Sequence, residues 1–280
     1  MNTRTIAVAN QKGGVGKTTT SVNVAACLAE RGTKTLLIDI DPQANATSAL
    51  GLEKLAGGSV YNALLSGSSL APSIRPGGVE NLDVIPSEVD LAVAEVDVAR
   101  TDNYLQRLRL SYDPIRLSGQ YEYVIIDCPP SLGILTMNAL ACADRVLVPI
   151  QCEYFALEGL AVITRVIQQI RESGANPGVE LEGIVMTMFD GRTNLAQQVV
   201  SEVRKHFGDK VFKTVIPRTV RLAEAPSFGK PITTYDSGSY AAVAYRLLTD
   251  EITTPRTPAP EPAPFPAPQQ IKSPTPATPA

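Results

Sequence analysis

The sequence predicts an α/β protein: a doubly wound, mostly parallel sheet with helices on both faces. Three observations predict it. Short apolar runs recur along the chain, with helical stretches between several of them. Those runs are continuous rather than alternating, as strands buried on both faces require. A glycine-rich loop joins the first run to the first helix, and acidic residues stand at the ends of two later runs.

Residues 5–10 (TIAVAN) form the first strand, and residues 17–30 a helix stopped by Gly32. Further strands are expected at 35–40 (TLLIDI), 81–86 (NLDVIP), 123–128 (YVIIDC), 145–150 (RVLVPI), 183–188 (GIVMTM) and 210–217 (KVFKTVIP). The main later helices are expected over 155–173, 193–207 and 237–251. Ligands of such sheets bind beyond the carboxyl ends of the strands. Ten of the 22 prolines fall in residues 253–280, which carry almost no large apolar side chains. That segment cannot bury a core and reads as a disordered or polyproline-II tail, so the folded domain is residues 1–252.

Composition bounds the chemistry. The 280 residues are 44% apolar and carry a net charge of −3. There is no run long enough to span a membrane and no signal peptide, so a cytoplasmic location is expected. The acidic balance argues against a protein that coats nucleic acid by bulk charge. His206 is the sole histidine, and Cys27, Cys128, Cys142 and Cys152 lack C-x-x-C spacing, which disfavours zinc. The cysteines read as reduced core residues and His206 as a solvated surface residue.

Residues 11–19 read Gln-Lys-Gly-Gly-Val-Gly-Lys-Thr-Thr, between a strand and a helix, which is the setting of a phosphate loop. Gly13, Gly14 and Gly16 let backbone N–H groups turn inward, with Val15 and Thr19 completing the cradle. Lys17 reaches β- and γ-phosphates, and the Thr18 hydroxyl is a Mg²⁺ ligand. The strict G-x-x-x-x-G-K-[ST] pattern fails, because Gln11 stands where its first glycine belongs and Lys12 opens the loop. Asp127 ends an apolar strand, where a carboxylate holds Mg²⁺ through water. Pro129-Pro130 then stiffen a loop suited to sensing the γ-phosphate. Asp39 and Asp41 end the second strand, and period-2 alternation points both toward the phosphates. One of them would touch the metal shell and the other orient an attacking water.

With these residues in view, KGGVGKTTT, LLIDIDPQANATS, YVIIDCPPSLG, VPIQCEYFALEGL, MTMFDGRTN and IPRTVRLAEAPSFGKPI resemble the ParA/Soj family of chromosome- and plasmid-partitioning ATPases. The resemblance covers nearly all of residues 4–235. It implies a Mg²⁺-dependent ATPase that forms an ATP-dependent sandwich homodimer. In that family, Lys12 matches the signature lysine reaching the partner's nucleotide, a cation in trans like an arginine finger. Lys17 and Thr18 match the Walker A lysine and magnesium ligand, and Asp127 the Walker B aspartate. Asp41 matches the residue positioning the hydrolytic water, with Asp39 nearby at the metal. Pro217 matches part of the adenine pocket. Ala44 departs from the family's usual glycine, which implies a slightly stiffer loop.

The resemblance also implies nonspecific DNA binding by the ATP dimer, hydrolysis stimulated by a ParB-type centromere-binding protein, and a nucleoid-associated location. Arg192 and Arg221 match arginines implicated in DNA binding. From Arg192 to Arg221 inclusive there are seven cations against two anions, a local charge of +5. Phosphate contacts of that sort imply steep salt dependence. The competing readings are a MinD-like membrane-cycling ATPase or other cargo positioner, an iron–sulfur electron-transfer ATPase, and a small-molecule ligase or kinase on the same fold. The Pro-rich end, which breaks helices, disfavours the amphipathic anchor of the first. The cysteine positions disfavour the second.

Overall fold

A computed structural model describes residues 3–54, 60–153 and 156–254. In chain order the elements are β1 (Arg4–Val8), α1 (Lys17–Glu30), β2 (Thr35–Asp39), α2 (Asn45–Ala49) and α3 (Val60–Ser66). Then come β3 (Arg75–Pro76), β4 (Leu82–Ile85), α4 (Leu91–Val98), α5 (Arg107–Ser118), β5 (Tyr123–Asp127) and α6 (Ile134–Cys142). The chain continues through β6 (Arg145–Gln151), α7 (Ala156–Glu172), β7 (Glu180–Phe189), α8 (Asn194–Phe207) and β8 (Val211–Pro217). It closes with α9 (Val220–Glu224), α10 (Ile232–Tyr235) and α11 (Tyr240–Thr253). The rest of the Pro-rich segment, residues 255–280, lies outside the described residues.

The eight strands form one sheet in the order β3-β4-β2-β5-β1-β6-β7-β8. All neighbours are parallel except β3 and β4. Alternate side chains of each strand enter separate cores. Ile6, Val8, Leu37, Ile125 and Leu147 pack with α1, α2, α10 and α11. Ala7, Leu36, Ile38, Val124, Ile126, Val146 and Val148 pack with α3 to α8. Burial of both faces is why these strands are apolar without a break. The expected fold class is the observed one. The four cysteines are free and buried, as expected of reduced core residues.

β1 lies at the centre of this sheet. The chain leaves it toward β2 on one side, and from β5 it crosses to β6 on the other. Strand order therefore reverses around β1, and a crevice opens at the carboxyl ends of β1, β5 and β2. The glycine-rich loop, Asp39 and Asp127 all come to that edge. No helix among the described residues is long and apolar enough to cross a membrane.

Candidate functional site

The loop between β1 and α1 is held from several sides. Asn10 donates to the Pro149 carbonyl (2.7 Å) and accepts the Lys12 N–H (3.1 Å), fixing the loop's entry to β6. The Thr187 hydroxyl, on β7, is 2.8 Å from the Val15 carbonyl. Gly16, at φ 83°, is the left-handed residue that turns the chain into α1. No side chain caps α1, so its first N–H groups face the loop's concavity, the arrangement that receives a phosphate. Lys17 is 5% exposed and donates to the Lys12 carbonyl at 3.0 Å. Burial lowers its pKa, opposed by the nearby Asp127 carboxylate.

Asp127 and Asp39 are register partners on β5 and β2, both fully buried on the α1 side of the sheet. Asp127 Oδ1 accepts the Ser21 hydroxyl at 2.7 Å. Its Oδ2 is the one buried side-chain oxygen or nitrogen among the described residues with no hydrogen-bond partner. Burial, with the Asp39 carboxylate beside it, pushes the Asp127 pKa up. A buried carboxylate with an open oxygen beside Thr18 has the chemistry of a Mg²⁺ position, and bound cation would relieve both costs.

Asp39 is turned differently from the expectation. Its Oδ1 accepts the Asp41 N–H (3.1 Å), and its Oδ2 accepts both the N–H (2.8 Å) and the hydroxyl (2.7 Å) of Thr47. Its carboxylate ties the loop and α2 of its own chain together, with one acceptor site left on Oδ1. Asp41 lies beyond the end of β2, so strand alternation does not set its direction. Its position comes from hydrogen bonds: its N–H to Asp39, its carbonyl from the Ser87 hydroxyl (2.7 Å), and its Oδ1 from the Gln43 N–H (2.9 Å). Ala44, where the resemblance implies a glycine, is left-handed at φ 51° as α2 begins.

Lys12 is half-exposed and pairs with Glu153 of its own chain at 2.7 Å. Pro217 ends β8 and lines an open groove with Val215, Tyr240, Val243 and Leu247. It is absent from the crevice beside the loop, which Thr18, Thr19, Asn23, Asn45, Ser48 and Lys230 help to line. Arg192 and Arg221 follow the carboxyl ends of β7 and β8, so they reach the same edge of the sheet as the loop. Both are paired. Arg192 makes a two-point contact with Asp190 (2.9 and 2.7 Å), which drops the Asp190 pKa to about 2. Arg221 lies 3.4 Å from Glu224, 3.5 Å from Asp236, and over the Tyr235 ring. His206 is exposed near the end of α8, as expected.

Asn10, Thr47, Ser87, Glu153 and Thr187 were missed in the sequence. They are common residue types whose roles exist only through contacts distant in the chain, and no local pattern marks them.

The AAA domain family matches residues 3–181. Sporulation initiation inhibitor protein Soj of Bacillus subtilis is 51% identical, over 88% of this chain and 97% of its own. The chain belongs to the ParA/Soj family of chromosome-partitioning ATPases. Another member, the chromosome partitioning protein ParA of Myxococcus xanthus, is 49% identical over 91% of this chain and 90% of its own. A solved structure named cobyrinic acid a,c-diamide synthase, from Mycobacterium smegmatis with bound ATP analog and magnesium, is 35% identical. It covers 89% of this chain and 93% of that one, with a TM-score of 0.75. ParA/Soj membership accounts for the loop, the two acidic strand ends and the crevice together. Of the competing readings, burial disfavours the iron–sulfur ATPase: Cys128 and Cys142 both sit in the core.

Proposed function

We propose that this ParA/Soj chain binds ATP and Mg²⁺ at the β1–α1 loop, dimerises face to face, and binds DNA nonspecifically in that state. A ParB-type partner then stimulates hydrolysis and release. The observation that carries the nucleotide reading is the open Oδ2 of Asp127 beside Lys17 and Thr18. When bound, Mg²⁺ would supply charge neutralisation for the nucleotide phosphates. The Gly13–Gly14–Val15–Gly16 backbone and the start of α1 cradle the phosphates, with Thr19 behind Thr18. Thr18 and Asp127 would hold the metal, and Lys17 would neutralise the phosphates. Asp39 holds α2 and Asp41 through three accepted hydrogen bonds, and the free acceptor site on its Oδ1 leaves it a place beside the metal's water. Asp41 orients the attacking water.

Lys12 leaves Glu153 to reach the nucleotide of a second copy, which ties hydrolysis to dimerisation. Dimerisation doubles the surface that carries Arg192 and Arg221, so ATP switches DNA affinity. The adenine is assigned to the edge of the sheet beyond the loop, where Pro217 ends β8. The protein cycles between cytoplasm and nucleoid.

The test is DNA retention on a filter with and without ATP, at two salt concentrations. Wild type retains DNA with ATP only. Arg221→Glu loses retention yet still dimerises, and unchanged retention by that variant removes the patch from the mechanism. The diamide-synthase name of the 35%-identical structure favours one other reading, an ATP-dependent ligase. ATP turnover that needs a carboxylic acid substrate and ignores DNA would establish it instead.

A further inference from the structure

Asp41 has no sheet ladder to hold it, yet it is 5% exposed and its backbone is fixed at both ends. Five hydrogen bonds close a ring around it. Asp41 N–H donates to Asp39, and Thr47 donates to Asp39 through both its N–H and its hydroxyl. The Ser87 N–H donates to the Thr47 hydroxyl at 2.9 Å, and the Ser87 hydroxyl donates back to the Asp41 carbonyl at 2.7 Å. Asp39, Thr47 and Ser87 are all fully buried. Serine hydroxyls in loops usually bond to backbone within a few residues. This one reaches a carbonyl 46 positions away, from the loop that follows β4.

We infer that Ser87 is a positioning residue for ATP hydrolysis, which, with Thr47 and Asp39, clamps the Asp41 backbone so that its carboxylate meets the attacking water. The inference rests on the assignment of Asp41 to the water. The clamp does for Asp41 what a further ladder pair of β2 would have done. It does so with hydroxyls, which release more readily when α2 moves, because Thr47 belongs to α2 itself. Ser87 touches neither phosphate nor metal. Its effect is confined to the geometry of the chemical step, where a displacement of about 1 Å costs on the order of a hundredfold.

The experiment is steady-state ATP turnover by the full chain, alongside the affinity for a non-hydrolysable ATP analogue. Ser87→Ala is expected to lower kcat about tenfold or more while analogue affinity stays within about twofold. Ser87→Cys keeps a side-chain donor, weaker and somewhat larger than the hydroxyl, so its kcat falls between the two. It also reports on the clamp if Ser87→Ala fails to fold. In an Asp41→Ala background, Ser87→Ala adds no further loss, because both act through one group. Wild-type kcat in Ser87→Ala overturns the inference. So does a loss of analogue affinity in step with kcat, or a full second loss in the Asp41→Ala background. Rapid turnover by Asp41→Ala alone refutes the water assignment itself. Slow Asp41→Ala with fast Ser87→Ala refutes only the clamp.

Discussion

Replacing Gly229 by alanine tests the packing that joins the nucleotide edge to the segment bearing Arg221. Gly51, just after α2, and Gly229, just after the turn at residues 225–228, meet backbone to backbone. A Cβ on residue 229 would stand 2.7 Å from the Gly51 Cα and 3.0 Å from its nitrogen. Neither neighbour is a side-chain end that swings aside, so the two segments must part. Overpacking of this kind costs about 1–3 kcal/mol. Gly229 is also left-handed at φ 62°, which costs alanine a further ~1–2 kcal/mol. Together that is about 2–5 kcal/mol, or roughly 4–20 °C in Tm for a domain of this size.

Gly32 supplies the control. It is left-handed at φ 82°, and a Cβ there meets nothing within 4 Å. Gly32→Ala therefore bears only the ~1–2 kcal/mol conformational cost, and both variants gain alike from a stiffer unfolded chain. Thermal unfolding followed by circular dichroism, without nucleotide, compares them directly. Gly229→Ala is expected to melt clearly below Gly32→Ala. Equal Tm values would mean that the close approach of Gly51 and Gly229 does not exist in solution.

Three further predictions concern single contacts. Ala44→Gly relieves a left-handed alanine at ~1–2 kcal/mol but loosens the unfolded chain by ~0.4–1 kcal/mol, so Tm should rise by a few degrees or hold, never fall. Glu153→Gln frees Lys12 from a half-exposed pair worth at most ~1 kcal/mol, so ATP-dependent dimerisation measured by sedimentation should strengthen by up to about fivefold per site. Weaker dimerisation would show that Glu153 serves the dimer rather than opposing it. Glu30, at the end of α1, accepts two bonds from Arg246 on α11, and these lower its pKa. Its stabilisation is present above its ordinary value near 4.5 and is lost as pH falls through the lower folded value. The Tm gap between wild type and Glu30→Gln should therefore close below about pH 4.5, and a gap that persists at pH 2 would refute the pairing.

The sheet was legible because burial on both faces writes itself into sequence as unbroken apolar runs, and α1 because glycine bounds it at both ends. Several elements between 60 and 142 carry no such mark. α6 reads ILTMNALAC, apolar almost all round, so it has no helical period. α5 contains Pro114 in its interior, which argues against a helix from sequence. β3 is two residues long, includes Pro76 and runs antiparallel at the edge. At the site, glycines, Lys17, Thr18 and Asp127 announce themselves by type and spacing. Asp39 shows the limit: its position on the strand was readable, but its three hydrogen bonds to Asp41 and Thr47 depend on how the chain turns after β2.

The carboxylates that hold Arg192 and Arg221 alter what ionic strength does to this surface. A bare arginine meeting DNA expels condensed counter-ions and gains their entropy, at a slope of about −0.9 in log K against log salt per phosphate. If DNA binds here as proposed, an arriving phosphate would compete with Asp190 for Arg192, and with Glu224 and Asp236 for Arg221. The displaced carboxylates would then gather cations from solution and return part of that gain. Such a surface carries its own screening, so its salt slope should be shallower than a count of its cations gives, and the steep dependence expected from the +5 stretch would be blunted at Arg192 and Arg221.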